Sequence, residues 1–371
     1  MNIKFLDLKA QYDAIKREID PALSELINSG SFVLGKAVSR FENDFAEYCG
    51  CRYAIGVDSG TSALLLALKA LGIGPGDEVI TAANTFIATV AAIIHTGATP
   101  VLVDIDPDTR NIDLNLIEKH LTPRTRAIIP VHLYGSMVDM NRLAPLADKH
   151  HLLVLEDAAQ AHGARFHGKP AGSFGMAAGF SFYPAKNLGA YGEAGAVVTS
   201  DAGLADEIKM LRDHGSMKKY FHEKIGFNAR MDGLQGAILA VKLKYLDKWN
   251  TERNRVAERY RNNLKDLPLV PPMSFDDSYQ VYHQFVIEVD QRDKFQKFLL
   301  DKGIPTMIHY PVPIHMQNAF IDSGFHSGSY PVTEKLAGRI VSLPIYPELS
   351  NEEIDYISRY IHEFFTGKSN Q

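Results

Sequence analysis

Lys186 lies in the stretch SFYPAKNLGAYGEAGAV, residues 181–197, between two apolar runs at 176–180 and 195–199. Both runs read as buried strands. Desolvation disfavours an ammonium held between such strands, so the amine tends to lose its proton and become a nucleophile. The chemistry open to it is Schiff-base formation with a carbonyl, most often that of pyridoxal phosphate. The same residues also fit a surface-loop lysine followed by a helix C-cap at Gly189. Asp157, in LLVLEDAAQAHGA, ends a hydrophobic run, where a carboxylate is costly unless paired. A protonated pyridine nitrogen is such a partner, and the pair would keep the ring an electron sink. Asp157 equally reads as a helix N-cap. Gln160, three residues on, reaches the ring hydroxyl if this turn faces a cofactor; it also fits a capping box. Ser59-Gly60-Thr61-Ser62 stands where a strand turns into a helix, which suits either a phosphate or an ordinary Ser/Thr cap.

The surrounding pattern supplies a scaffold for these groups. Strands are expected at 53–57, 78–81, 100–104, 127–133 and 152–156, besides the two runs flanking Lys186. Helices are expected from Ser59 through Leu71 and at 86–95, 114–120 and 140–150. Short apolar strands alternating with helices imply an α/β fold, a mostly parallel central sheet with helices on both faces. Ligands in such sheets sit at the carboxyl ends of strands, and Ser59, Phe86, His132, Asp157 and Gln160 all fall there. Two N-terminal helices, 10–27 and 38–48, are expected outside the sheet. Beyond residue 199 the pattern predicts a helix at 204–211, a polar, basic and aromatic loop at 213–232, and one long helix at 234–264. A linker at 267–277 leads to a strand at 282–289 and helices at 292–302 and 351–365. The expected division is a large domain, 1–264, and a smaller C-terminal α/β domain, 265–371.

With 371 residues, 46% of them hydrophobic, the chain can bury a large core. A net charge of -5 without a basic run argues against nucleic acid as a partner. No apolar stretch suits a membrane span, and the charged first residues carry no signal-peptide core, so a cytoplasmic protein is expected. Cys49 and Cys51 do not make a zinc site, and no metal is expected.

Taken in order, SGTSALLLAL, ANTFIAT, EDAAQAHGA, SFYPAKNLGAYGEAGA and GFNARMDGLQ resemble the DegT/DnrJ/StrS family of PLP-dependent nucleotide-sugar aminotransferases. The likeness runs over nearly the whole chain. It implies the aspartate-aminotransferase fold (fold type I) and a homodimer with active sites at the subunit interface. It also implies pyridoxal 5'-phosphate as cofactor and L-glutamate as amino donor. By matched position, Lys186 resembles the Schiff-base lysine, Asp157 the pyridinium partner and Gln160 the ring-hydroxyl contact. Phe86 matches the aromatic on the cofactor face; Gly60, Thr61 and Ser181 match the phosphate cradle. Asn228 matches a phosphate contact from the neighbouring subunit. Read alone, Phe86 equally fits a core aromatic and Asn228 a turn residue.

Dehydratases on the same scaffold replace the lysine with histidine or add iron–sulfur cysteines, and a non-catalytic sensor would have lost Lys186 or Asp157. Here both residues are present, and two cysteines are too few for a four-thiolate cluster. The loop KKYFHEKIGFNARMDGLQ resembles members that aminate carbon 3 of a dTDP-linked 3-keto-6-deoxyhexose. Carbon-4 and UDP-linked keto sugars are the alternatives. Candidate substrate contacts are Lys219 and Lys224 for diphosphate, Tyr183 and Tyr220 for the sugar ring, His222 for a hydroxyl or phosphate, and Arg230 beside Asn228. His309 and His315 are candidates to close the site from the small domain.

Overall fold

In the computed structural model, which describes residues 1–273, 277–320, 324 and 326–367, seven strands form the central sheet. They are β1 (Tyr53–Val57), β2 (Glu78–Ala82), β3 (Thr99–Val103), β4 (Thr125–Ile129), β5 (Leu153–Asp157), β6 (Ala177–Ser181) and β7 (Gly195–Thr199). Their spatial order is β1-β7-β6-β5-β4-β2-β3. From β6 to β3 every pairing is parallel. β7 runs antiparallel to both β6 and β1. Residues 182–194, which join β6 to β7, form no helix. Lys186 rides on this non-helical connection.

Side chains alternate between two cores, as a sheet covered on both faces requires. Ile80, Ile128, Ala178, Phe180 and Val198 face one cluster. Val79, Ile129, Ala177 and Val197 face the other. The second is covered by α3 (Gly60–Ala70), α4 (Ile87–Thr96) and α6 (Ala202–Arg212). The first is covered in part by α2 (Gly35–Tyr48), which follows α1 (Leu8–Ser29), and by α5 (Met140–Lys149). α2 was expected outside the sheet. Instead Phe45 meets Phe180 edge-on at 5.0 Å, and Phe41 meets Phe182 at 5.2 Å. Such aromatic pairs contribute roughly 0.5–1.5 kcal/mol beyond their buried area.

Three expected elements differ. The helix at 114–120 is only a short 3₁₀ turn, Ile117–His120, because the Asp113 carboxylate accepts from the Asn115 backbone and side chain, both at 2.9 Å. The strand at 127–133 ends at Ile129, where Pro130 has no N–H for the ladder. The long helix at 234–264 divides into α7 (Gly233–Leu243) and α8 (Leu246–Leu264). Between them the amides of Lys244 and Tyr245 bond three residues back, to Val241 and Lys242, which tightens the turn.

The C-terminal part pairs β8 (Phe285–Glu288) with β9 (Ile340–Leu343) and carries α9 (Arg292–Asp301), α10 (Pro331–Ala337) and α11 (Asn351–Thr366). One cluster joins Phe285, Phe295, Val341 and Ile354 to Val256, Tyr260 and Leu264 of α8, and to Ile3. α8 therefore packs with elements beyond residue 264. Of the linker at 267–277, residues 274–276 lie outside the described residues. Among the described residues, no helix is long and apolar enough to cross a membrane, and no cluster of three or more His, Cys, Asp or Glu could hold a metal.

Candidate active site

The carboxyl ends of β1, β2, β4, β5 and β6 open on one cavity of about 530 Å³. Its wall includes Gly60, Thr61, Phe86, Asp157, Gln160, Ser181, Tyr183, Lys186 and His309. These are all expected site residues, brought together from four separate turns and a segment more than a hundred residues downstream.

Asp157 is the last residue of β5 and is buried. Its Oδ2 accepts from the Thr89 hydroxyl at 2.7 Å, and Oδ1 from the Ala159 amide at 3.2 Å. Thr89 also bonds Thr85 at 2.8 Å, so the carboxylate is aimed by a hydroxyl relay on the first turn of α4. Burial raises the Asp157 pKa; the Thr89 bond, the Ala159 amide and the Lys186 charge oppose this. Behind it, Glu156 points the other way. It accepts from His132 Nε2 at 2.9 Å and from the Gly172, Phe174 and Gly175 amides at 2.8–2.9 Å. Adjacent acids thus have separate tasks: Glu156 ties down structure and Asp157 faces the cavity.

Lys186 opposes Asp157. Its backbone N–H donates to Tyr183 O at 2.8 Å, closing a turn. Burial pushes its ammonium down to about 8, with Asp157 pulling the other way. A substantial neutral fraction near neutral pH is what a nucleophilic or proton-transferring lysine requires. His309 is held down to about 4 and His283 well below its ordinary value, both by burial first and then by Lys186. Both are therefore neutral hydrogen-bonding groups. Among the described residues, Lys186 is the one lysine or arginine lining the cavity.

At the other end of the cavity, Ser59 caps α3 through its hydroxyl, which accepts from Ser62 N at 3.1 Å. The first-turn amides of a helix lack intrahelical partners and favour an anion. A Cβ at Gly60 would lie 2.5 Å from Ser181 Cβ and 3.1 Å from its Cα, so glycine lets this turn close against Ser181. The set could hold a flat cationic heterocycle carrying a phosphate. Asp157 would take the ring cation, the start of α3 with Ser181 the phosphate, and Phe86 one ring face. Gln160 is already engaged: its Oε1 accepts from Tyr134 N at 2.7 Å and its Nε2 donates to Tyr310 Oη at 3.2 Å.

Other expected residues stand apart from this wall. Lys219, Tyr220 and His222 lie on an arm built around the ribbon Ser216–Lys218 with Phe221–His222. Tyr220 is 80% and Ile225 95% exposed. Lys224 pairs with Glu207 at 2.6 Å. Asn228 Oδ1 accepts from Arg230, which also pairs with Asp213 at 2.9 Å. His315 does not reach the cavity, contrary to its expected closing role. It is buried, bonded to Glu334 at 2.9 Å and packed 4.7 Å from the Tyr330 ring, because its backbone sits in the turn Ile314–Met316. The sequence reading missed Thr85, Thr89, Glu193, His283, Gln284 and Tyr310, all of which line the wall. Thr89 was findable: it stands one helical turn inside α4, on the face that carries Phe86 and Thr85. Tyr310, whose ring lies 5.5 Å from Phe86, had its neighbour His309 as the only signal.

The sequence model of the DegT/DnrJ/EryC1/StrS aminotransferase family matches residues 13–362. The dTDP-3-amino-3,4,6-trideoxy-alpha-D-glucose transaminase of Streptomyces venezuelae is 46% identical, over 95% of this chain and 93% of that one. The UDP-N-acetyl-3-dehydro-alpha-D-glucosamine 3-aminotransferase of Acidithiobacillus ferrooxidans is 43% identical, over 98% of each. The crystal structure of S. venezuelae DesV with a ketimine intermediate superposes with a TM-score of 0.97 at 44% identity, covering 99% of this chain and 100% of that one. The Bacillus subtilis NtdA structure with bound cofactor PMP gives 0.91 at 34% identity, covering 98% and 85%. With its sequence matched almost end to end and its fold shared at this level, the chain belongs to the DegT/DnrJ/EryC1/StrS aminotransferase family.

Proposed function

We propose that this aminotransferase moves an amino group from L-glutamate to carbon 3 of a dTDP-linked 3-keto-6-deoxyhexose, using pyridoxal 5'-phosphate. The observation that carries the reading is Lys186 facing Asp157 in one cavity, with burial holding the lysine down to about 8. When bound, pyridoxal phosphate supplies an electron sink for the carbanion left as a proton departs. The neutral Lys186 amine would take that proton from the amine-bearing carbon of the donor and deliver it across the nitrogen, to the carbon that had been the cofactor's carbonyl. Asp157, steadied by Thr89, keeps the ring nitrogen cationic. Phe86 bounds the ring, Gln160 meets its hydroxyl, and Gly60, Thr61 and Ser181 hold the phosphate.

Carbon 3 and dTDP are supported by the S. venezuelae relative and by the 218–235 loop. The A. ferrooxidans relative, nearly as similar, favours a UDP-linked 3-keto sugar as the second reading. We further propose a homodimer in which the exposed arm with Lys219, Tyr220, His222, Asn228 and Arg230 serves the partner's cavity. Its support is the arm's apolar exposure and the absence of any other lysine or arginine on the described cavity wall. In this arrangement Tyr183 and His309 contact the sugar from within the chain. The division into domains 1–264 and 265–371 also remains a proposal.

The test is purified protein with glutamate against dTDP- and UDP-linked 3-keto and 4-keto sugars, with products read by mass and NMR. Amination of the dTDP-linked 3-keto sugar is expected. Exclusive amination of a 4-keto sugar would overturn the carbon, and activity on UDP sugars alone would overturn the nucleotide. A second expectation concerns the cradle. Gly60→Ala forces a methyl to 2.5 Å from Ser181 Cβ, so cofactor affinity should fall about tenfold or more, roughly 1.4 kcal/mol. Unchanged affinity in a fluorescence titration would remove the phosphate from this turn.

A further inference from the structure

Lys242 is a second buried lysine that the proposed chemistry does not use. It lies near the end of α7 and is 0% exposed. Its Nζ donates to Gly189 O at 2.6 Å and sits 4.5 Å from the centre of the Tyr191 ring. Gly189 belongs to the connection that carries Lys186. There the chain doubles back so tightly that a Cβ at Gly189 would lie 2.3 Å from Pro184 O. The same connection is held to α7 a second time, where Gln235 Oε1 accepts from Tyr191 N at 2.9 Å. It is held to α8 by Asn187, which donates to Asn250 Oδ1 at 2.9 Å. Lys242 is the charged member of this set and the one that meets the turn three residues from the reactive lysine.

We propose that Lys242 is a positioning residue: by holding the Gly189 carbonyl and covering Tyr191, it fixes the turn that aims Lys186 at the reacting carbon. The arrangement is costly, because burial pushes Lys242 down to about 7, with the Glu348 charge opposing. Either protonation state keeps an N–H for Gly189. An apolar side chain would pack there without that cost, yet it would leave the carbonyl unpaired and the turn free to shift. A displacement near 1 Å at a reacting group can cost about a hundredfold in rate.

The inference rests on Lys186 being the reactive amine, and its test is separable from that reading. Wild type, Lys242→Met and Lys242→Arg are compared as full-length proteins. The first readout is hydrogen exchange of the cofactor-free protein. The amides of Lys186 and Ala190 bond Tyr183 O and Phe182 O, both at 2.8 Å, so their protection reports the turn directly. In Lys242→Met their exchange should rise about tenfold while β2 and β4 keep their protection. In the holoenzyme, kcat should fall about thirtyfold with the sugar KM within about twofold, and Lys242→Arg should recover part of both losses. If Lys242→Met does not fold, Lys242→Gln replaces it, since its amide is too short to keep the 2.6 Å bond, and the same outcomes decide. Unchanged exchange at 186–190, or loss of protection spread evenly over the sheet, overturns the proposal. If Lys186 is not the reactive amine, the exchange effect persists without the change in kcat.

Discussion

Lys186→Ala protein saturated with pyridoxal phosphate is expected to turn over its sugar about 10⁴-fold or more slowly than wild type, through loss of nucleophile and proton carrier in one change. Among the described residues, no other lysine lines the cavity. His309 and His283 are neutral, but burial leaves them poor bases, one near 4 and the other well below its ordinary value. Borohydride should fix the cofactor to the wild-type peptide containing Lys186 and to no peptide of the variant. The fold should survive, because the position lies on a connection, and removing a buried amine relieves the desolvation that holds it near 8. Capture of cofactor by wild type should speed up as pH rises through about 8 and level off above, since the neutral amine is the reactive form. A variant that keeps the covalent label or near-normal turnover would sink the assignment of Lys186.

The sequence carried the parts of this site that are local. Lys186, Asp157 and the Gly60 turn each combine a polar group with an adjoining apolar strand, and alternation of strands and helices placed them at one sheet edge. What it could not carry was which downstream groups fold back onto that edge. Tyr310 bonds Gln160 and lies against Phe86 across more than 140 residues of chain, and no periodicity encodes such a contact. His309 and His315 look alike in HYPVPIHMQ, yet one lines the cavity and the other is buried against Glu334. The split between α7 and α8 was equally silent, since neither Pro nor Gly marks it.

Asp157→Asn should keep the cofactor and lose about 10³-fold in turnover. Asparagine is nearly isosteric: its Oδ1 can still accept from the Ala159 amide, and its Nδ2 can donate to the Thr89 hydroxyl oxygen, where the present contacts lie at 3.2 and 2.7 Å. The proposed phosphate and lysine contacts come from other residues, so the affinity for pyridoxal phosphate should change only a few-fold. What disappears is the negative charge. Each unit by which the ring-nitrogen pKa falls removes about 1.4 kcal/mol of preference for the cationic ring, and a buried charged partner acts over several units. Both half-reactions pass through the same electron sink, so glutamate and the keto sugar should slow alike in single-turnover measurements. The cofactor-free protein supplies a contrasting readout. Burial raises the Asp157 pKa, so its charge costs stability there, and the asparagine variant should melt at an equal or higher temperature. Thr89→Val should show a milder form of the kinetic defect, about tenfold, because it frees the carboxylate to turn while leaving its charge. Near-normal turnover of Asp157→Asn, together with a lowered melting temperature of the cofactor-free protein, would assign Asp157 to capping the turn at Ala159 instead of governing the ring.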